Sequence, residues 1–313
     1  MSCAFIFPGQ GSQTVGMGRD VAAAFNSAKE VFEEIDDALG QNLSKIIFNG
    51  PDEDLILTEN AQPAIMAVSL AVLRVLSVDG GIDISKIATH VAGHSLGEYS
   101  SLAASGCFKI DETAKLLKIR GSAMQEAVPV GKGAMAAIMG LDLADTVSIA
   151  LEASGSGICA AANDNAPGQV VISGDKVSVE RAIQLAKKQG AKRAINLPVS
   201  APFHCDLMKP AADIMTDALA SISISEPSVP LVSNVTANVV TDISLIPKLL
   251  VEQVTGMVRW RESILTLKSL GVKTMVEVGV GKVLSGLNRR IDKDIISIQI
   301  GTPEGIEEFL NSI

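Results

Sequence analysis

Thr89-His90-Val91-Ala92-Gly93-His94-Ser95-Leu96-Gly97-Glu98-Tyr99 decides how this chain folds. Thr89 to Ala92 reads as a short buried strand. From Leu96 to Ala104 the apolar spacing is helical, with Gly106 as the stop. Between them Gly93-His94-Ser95-Leu96-Gly97 fits G-x-S-x-G, the sharp strand-to-helix turn that lifts a serine hydroxyl out of the fold. A side chain at either flanking glycine would collide with neighbouring backbone in so tight a turn. Ser95 would stand at a helix N-terminus, where unpaired N–H groups and the dipole favour a developing negative charge. The plainer alternative is a structural Gly-Ser turn; the strand before and the helix after favour a nucleophile.

Upstream, Cys3 to Phe7 is a second apolar strand, followed by Pro8-Gly9-Gln10-Gly11-Ser12-Gln13. Strand, glycine turn and helix is the layout of a doubly wound α/β fold, in which ligands gather at the carboxyl ends of strands. A dinucleotide fingerprint fits poorly: Thr14 stands where the third glycine belongs, and no acidic residue ends a plausible second strand. The loop better serves to bring backbone N–H groups to a reacting oxygen, as half of an oxyanion hole. Two helices are expected next, roughly Val21 to Leu39 and Ala61 to Leu76, joined by a polar, solvated loop containing Pro51-Asp52-Glu53-Asp54. After the serine turn, a helix from Asp111 to Ala127 carries Leu116, Leu117 and Met124 on one stripe, with Arg120 on the same stripe. An inward arginine needs an anion. Either an internal carboxylate supplies it, or it arrives with the substrate.

From Gly133 to Pro198 the pattern changes. Strand Ala134–Gly140, helix Asp142–Ser154, strands Gly157–Asn163 and Gln169–Gly174, helix Lys176–Gly190 and strand Lys192–Leu197 give β-α-β-β-α-β, the ferredoxin-like arrangement. The expected organisation is a large α/β-hydrolase-like domain with a parallel sheet, residues 1–128 and 199–313, interrupted by a ferredoxin-like small domain, residues 129–198. A cleft between two such bodies is a usual place for a substrate. Beyond it, the loop Val199-Ser200-Ala201-Pro202-Phe203-His204-Cys205 runs into a helix from Leu207 to Ala220. Pro227 to Val232 reads as a strand ending at Ser233-Asn234, and Pro247 to Leu270 as helix interrupted near Gly256. Strand Thr274–Val278, helix Gly281–Ile291, strand Ile295–Ile300 and helix Glu304–Ile313 complete the chain.

The 313 residues suggest about two domains, or one large one with an insertion, and a 47% hydrophobic content supplies the core, built from aliphatic residues since aromatics are only 3%. A net charge of -9 with no Lys/Arg block argues against nucleic acid as the main partner. Cys3, Cys107, Cys159 and Cys205 are scattered and read as buried thiols in a reducing compartment. There is no basic leader, and no apolar run approaches the ~18 residues that span a bilayer. A soluble cytoplasmic protein is expected, and no feature suggests a metal or a redox cofactor.

A serine needs a base. The chain has three histidines. His90 belongs to the strand feeding the turn, and His94 adjoins Ser95 on a bend that sends neighbours in different directions. His204, on a loop between the two bodies, remains. No acidic residue stands out as a third member, so the residues alone leave open what orients the second ring nitrogen, a backbone carbonyl being one candidate.

Taken together, Phe7 to Gln13, Gly93 to Glu98, Arg120, Asn163 to Val171 with Pro167-Gly168-Gln169, Phe203-His204 and Glu277-Val278-Gly279 resemble the malonyl-CoA:acyl carrier protein transacylases, in order and over residues 5 to 291. The resemblance implies a ping-pong transfer: Ser95 attacks malonyl-CoA with His204 as base, and the phosphopantetheine thiol of acyl carrier protein takes the malonyl group from the serine ester. It also implies an oxyanion hole from the N–H groups of Gln10 and Leu96, and the Gln253 carbonyl as the partner of His204. Arg120 would clamp the malonyl carboxylate, with Asn163 and Asn165 on the small-domain side of the cleft, and Phe203 is the residue that often accompanies malonyl selection. Expected partners are malonyl-CoA and an acidic carrier protein, for a monomer without a resident cofactor in fatty acid synthesis. Two basic groups, Lys187, Lys188, Lys192 and Arg193, and Lys282, Arg289, Arg290 and Lys293, could meet the carrier or be ordinary solvated faces. Other readings are a serine esterase or thioesterase, a non-catalytic carrier-binding module, and a subunit of polyketide synthesis or malonate decarboxylation.

Overall fold

The run Cys-Ala-Phe-Ile-Phe near the start of the chain is buried at all five positions, as a central strand of a parallel sheet covered on both faces must be. The computed structural model describes residues 2–199 and 201–313; Ser200 of the loop before His204 lies outside them. From the N-terminus, β1 (Cys3–Phe7) leads to α1 (Arg19–Ala24), α2 (Asn26–Leu39), α3 (Leu43–Asn49), α4 (Asp52–Leu55) and the long α5 (Thr58–Val78). Then come α6 (Ile84–Ile87), β2 (Ala88–Gly93), α7 (Gly97–Ala104) and α8 (Ile110–Glu126). The middle of the chain is β3 (Gly133–Met139), α9 (Leu143–Ser154), β4 (Cys159–Ala166), β5 (Gln169–Asp175), α10 (Lys176–Lys188) and β6 (Arg193–Asn196). The last part is α11 (Lys209–Ala220), β7 (Leu231–Val232), α12 (Ile246–Thr255), α13 (Trp260–Ser269), β8 (Thr274–Val278), α14 (Val283–Ile291), β9 (Ile296–Ile300) and α15 (Pro303–Leu310).

The first sheet has the order β7-β2-β1-β8-β9, and every adjacent pair is parallel. The second, β4-β5-β3-β6, is antiparallel throughout, and α9 and α10 pack on it around Ile138, Ile149, Ile172 and Val179. The chain is therefore an α/β protein with a parallel sheet and a separate antiparallel one. The two are stitched together along β4. Asp164 N–H donates to Val258 O at 2.9 Å, Val258 N–H donates to Ala162 O at 2.9 Å, and the Asp164 carboxylate, almost fully buried, pairs with Arg261 at 2.8 Å. Leaving that carboxylate unpaired would be costly, so the junction is held by charge as well as by backbone.

Four details differ from the sequence reading. The helix expected over Val21–Leu39 breaks at Phe25, whose extended backbone (φ -129°, ψ 120°) redirects the chain so that Ala28, Val31, Phe32 and Ile35 meet the core. The polar stretch after it holds α3 and α4; with only Leu43 and Ile47 buried, α3 is too short to show a period. The strand expected from Pro227 shrinks to two residues, since Pro227 and Pro230 have no N–H for a ladder, although Pro230 O still accepts from Val91 N–H at 2.9 Å. Finally, α5 does pass the length and hydropathy test for a membrane span, at 21 residues and mean hydropathy 1.7. Its window is 78% buried inside the protein, and it packs on α2, α7 and α8 as a core helix.

Candidate active site

Three neighbouring parallel strands end side by side, and each delivers one part of the site: β1 the Pro8-Gly9-Gln10 turn, β2 the serine, β7 Asn234. The serine turn is possible only with glycine on both sides. A Cβ on Gly93 would lie 1.9 Å from the Gly97 carbonyl carbon, and one on Gly97 would lie 2.3 Å from Phe7 O. Ser95 itself takes left-handed backbone, φ 55°, which costs a non-glycine residue about 1–2 kcal/mol. Asn234 holds it there. Its Oδ1 accepts from Ser95 N–H at 2.8 Å and its Nδ2 donates to Gly93 O at 2.6 Å.

His204 reaches the serine from the far side of the chain. Ser95 Oγ lies 2.8 Å from His204 Nε2, and His204 Nδ1 lies 2.8 Å from Gln253 O and 3.2 Å from Gly256 O. Carbonyl oxygens only accept, so Nδ1 carries the proton and Nε2 is left as the acceptor of the serine proton. No acid is needed to fix that tautomer. Burial, then the Arg120 charge, pushes the imidazole pKa down to about 3, so it is neutral across the physiological range. His94, by contrast, turns away: its Nε2 is 2.8 Å from Asn165 Oδ1 and its ring packs on Trp260.

Arg120, 1% exposed on α8, donates Nη1 to Gln62 Oε1 at 2.7 Å, and Nη2 to Gln253 Oε1 at 2.7 Å and to Ser95 Oγ at 3.2 Å. Among the described residues these acceptors are two amides and a hydroxyl, none of them a carboxylate, and Nε has no partner. Hydrogen bonds to amides keep a buried guanidinium in place without neutralising it. The structure thus brings together Ser95, His204, Arg120 and Gln253.

The other expected residues sit around this group. A Cβ on Gly9 would lie 2.7 Å from His94 O, so the turn bearing Gln10 presses against the serine turn. Among the described residues no acceptor meets the N–H of Gln10 or Leu96; the Gln10 side chain donates to Thr58 Oγ1 at 3.4 Å. Asn163 and Asn165 lie on β4, the first buried and bridged to Val258, the second bound to His94. Phe203 is buried in the main core beside the base. Glu277, in the Glu277-Val278-Gly279 motif, caps α14 through Leu284 N–H at 3.0 Å and Ser285 N–H at 2.8 Å. Of the two basic groups, Lys187, Lys188, Lys192 and Arg193 are exposed, as are Lys282, Arg289, Arg290 and Lys293.

Sequence reasoning missed Gln62, Asn234, Glu98 and the side chain of Gln253. Glu98 is fully buried, accepts from Gln253 Nε2 at 2.6 Å and from Asn234 N–H at 3.3 Å, and is raised by burial to about 7. The one available signal was polarity out of place, such as Gln62 within an apolar helix.

The sequence matches the acyl transferase domain family over residues 4–290. A malonyl CoA-acyl carrier protein transacylase of Bacillus subtilis is 46% identical over 311 residues, covering 99% of this chain and 96% of the relative. The chain belongs to the malonyl CoA-acyl carrier protein transacylase family. Among solved structures, an acyl-carrier-protein S-malonyltransferase from Bartonella henselae aligns with this family member at TM-score 0.97 and 53% identity, over 100% of this chain and 99% of the other. A malonyl-transacylase solved in complex with a type II PKS acyl-carrier protein aligns at TM-score 0.96 and 40% identity, over all of both chains.

Proposed function

We propose that this protein moves a malonyl group from coenzyme A to the phosphopantetheine thiol of acyl carrier protein, as malonyl-CoA:[acyl-carrier-protein] S-malonyltransferase of fatty acid synthesis. The observation that carries the reading is a buried guanidinium to which no carboxylate is directly bonded, within hydrogen-bond reach of a serine that is already bonded to a neutral imidazole. An esterase has no use for that cation; a substrate with a carboxylate tail does.

In the first half-reaction His204 Nε2 takes the Ser95 proton as Oγ attacks the thioester carbonyl. The oxyanion collects on the N–H groups of Gln10 and Leu96, the second at the start of α7, where the helix dipole adds to it. Collapse expels the coenzyme A thiolate, which leaves with the proton from His204. The carrier thiol then gives its proton to His204 and attacks the malonyl-serine ester, and the same two N–H groups hold the second oxyanion; its collapse breaks the bond to Ser95 Oγ, which takes the proton back from His204 and leaves malonyl-carrier protein. Gln253 O keeps the imidazole in one tautomer through both halves. Arg120 holds the malonyl carboxylate, Phe203 narrows the acyl site, and Asn163 and Asn165 border it from the small-domain side.

In this reading residues 1–128 and 199–313 form an α/β-hydrolase-like domain and residues 129–198 a ferredoxin-like one, supported by the strand orders 7-2-1-8-9 and 4-5-3-6. The enzyme works in the cytoplasm as a monomer without a resident cofactor, in keeping with four buried free cysteines. Carrier-protein binding at one of the two exposed basic groups complements an acidic partner. Intact-mass spectrometry tests the function: malonyl-CoA should leave a malonyl adduct that vanishes in Ser95→Ala and is discharged by holo acyl carrier protein. Turnover without an adduct would contradict it.

A further inference from the structure

Glu98 is wholly inaccessible to solvent, yet it sits one amide away from the buried cation. Gln253 bridges them: Nε2 donates to Glu98 Oε2 at 2.6 Å, while Oε1 accepts from Arg120 Nη2 at 2.7 Å. The rest of the surroundings are nearly neutral. Asn234 N–H points at both carboxyl oxygens, the buried Ser233 hydroxyl lies beside them without another partner, and Tyr99 and Arg120 are the titratable or charged groups that face Glu98. His204, bonded to the Gln253 carbonyl, carries no charge near neutral pH. Above pH 7, where Glu98 is ionised, one buried anion and one buried cation balance.

A malonyl carboxylate upsets that balance. It adds a second anion to a buried region that has one cation, and an uncompensated buried charge is strongly unfavourable. The cheapest remedy is to neutralise an anion. The malonyl carboxylate takes direct guanidinium bonds, whereas Glu98 is reached only through an amide. We propose that Glu98 is a positioning residue that counterbalances Arg120 while the acyl site is empty and takes up one proton from solvent when a malonyl carboxylate occupies it. The Ser233 hydroxyl is the acceptor at hand for the new Glu98 O–H. Because burial already holds the Glu98 carboxyl at about 7, the exchange needs little further push. The consequence is specificity that depends on pH: malonyl binding weakens as pH rises above 7, acetyl binding does not.

This inference rests on the malonyl reading, and the two fail separately. The experiment is titration calorimetry of Ser95→Ala, which binds but cannot turn over, in buffers of different ionisation heat. Malonyl-CoA should take up about one proton above pH 7 and lose affinity by up to about tenfold per pH unit. Acetyl-CoA should take up none. Adding Glu98→Gln should abolish the uptake and flatten the pH profile. Malonyl-CoA binding without uptake overturns the proposal, and so does uptake that survives Glu98→Gln, which would assign the proton to His204. Should Glu98→Gln fail to fold, difference infrared spectra of Ser95→Ala decide: a protonated-carboxyl band that grows with malonyl-CoA supports the proposal, and its absence overturns it. Failure of the wild-type enzyme to form any malonyl adduct would instead remove the reading beneath it.

Discussion

Ser95 and His204 meet at 2.8 Å with both backbones in the left-handed region, φ 55° and 59°. Neither is glycine, so each conformation is held against its own preference by what surrounds it. For Ser95 the restraint is the Asn234 side chain; for His204 it is a pair of carbonyls on and beyond α12. Asn234→Ala removes the hydrogen bonds to Ser95 N–H and Gly93 O, along with a long one from Gln253 Nε2, which predicts a loss of about 1–3 kcal/mol of stability. Chemical denaturation measures that loss, and quenched-flow formation of the Ser95 adduct should slow in parallel.

Gly97→Ala should be more severe than its size suggests. The added methyl would sit 2.3 Å from a backbone carbonyl of β1, which cannot swing aside as a side chain can. Soluble yield and thermal unfolding would report it. Ala at Gly190, where nothing lies within 4 Å but φ is +92°, should cost only the strain of that backbone, about 1–2 kcal/mol.

Gln62→Leu strips Arg120 of one of its two amide acceptors and leaves an Nη1 hydrogen without a bond. A lost bond to a charged group is worth about 1.5–3 kcal/mol, so malonyl transfer should fall about 10- to 100-fold, with acetyl transfer less affected. Steady-state kinetics with both thioesters tests this; equal losses would make Gln62 merely structural.

The pH behaviour follows from two buried groups of opposite sign. His204 is held near 3 in the fold against 6.5 when free, so between those values the unfolded chain binds more protons, and acidification through that window destabilises the protein. Glu98 is raised from 4.5 to about 7, so the folded chain binds more protons there, and stability falls as pH rises through that window. Relative to wild type, His204→Ala should therefore lose the acid-side decline and Glu98→Gln the decline toward neutrality, both read from denaturation midpoints against pH. Acylation of Ser95 by acetyl-CoA should show no acid limb at 6.5.

Much of this was legible in the chain. The buried runs of β1 and β8 and the G-x-S-x-G turn set the parallel sheet, and the β-α-β-β-α-β order set the second one. Elimination found His204, and helical spacing turned Arg120 inward. Spacing could not say whether an internal carboxylate waited for that arginine, because Gln62 and Gln253 lie 58 and 133 residues away along the chain. Nor could it reveal Asn234 or Glu98, since a polar side chain bonded across 139 or 155 residues leaves no local period. The short α3 and the two-residue β7 escaped for the related reason that so few positions carry no pattern.

The most direct test of the central claim compares malonyl-CoA and acetyl-CoA on Arg120→Ala, following adduct formation at Ser95 for each. Removing the cation should slow malonylation by roughly 150- to 4,000-fold, the equivalent of about 3–5 kcal/mol for a buried carboxylate left unpaired, while acetylation holds or rises. An equal loss for both substrates, in a variant that remains folded, would contradict the account.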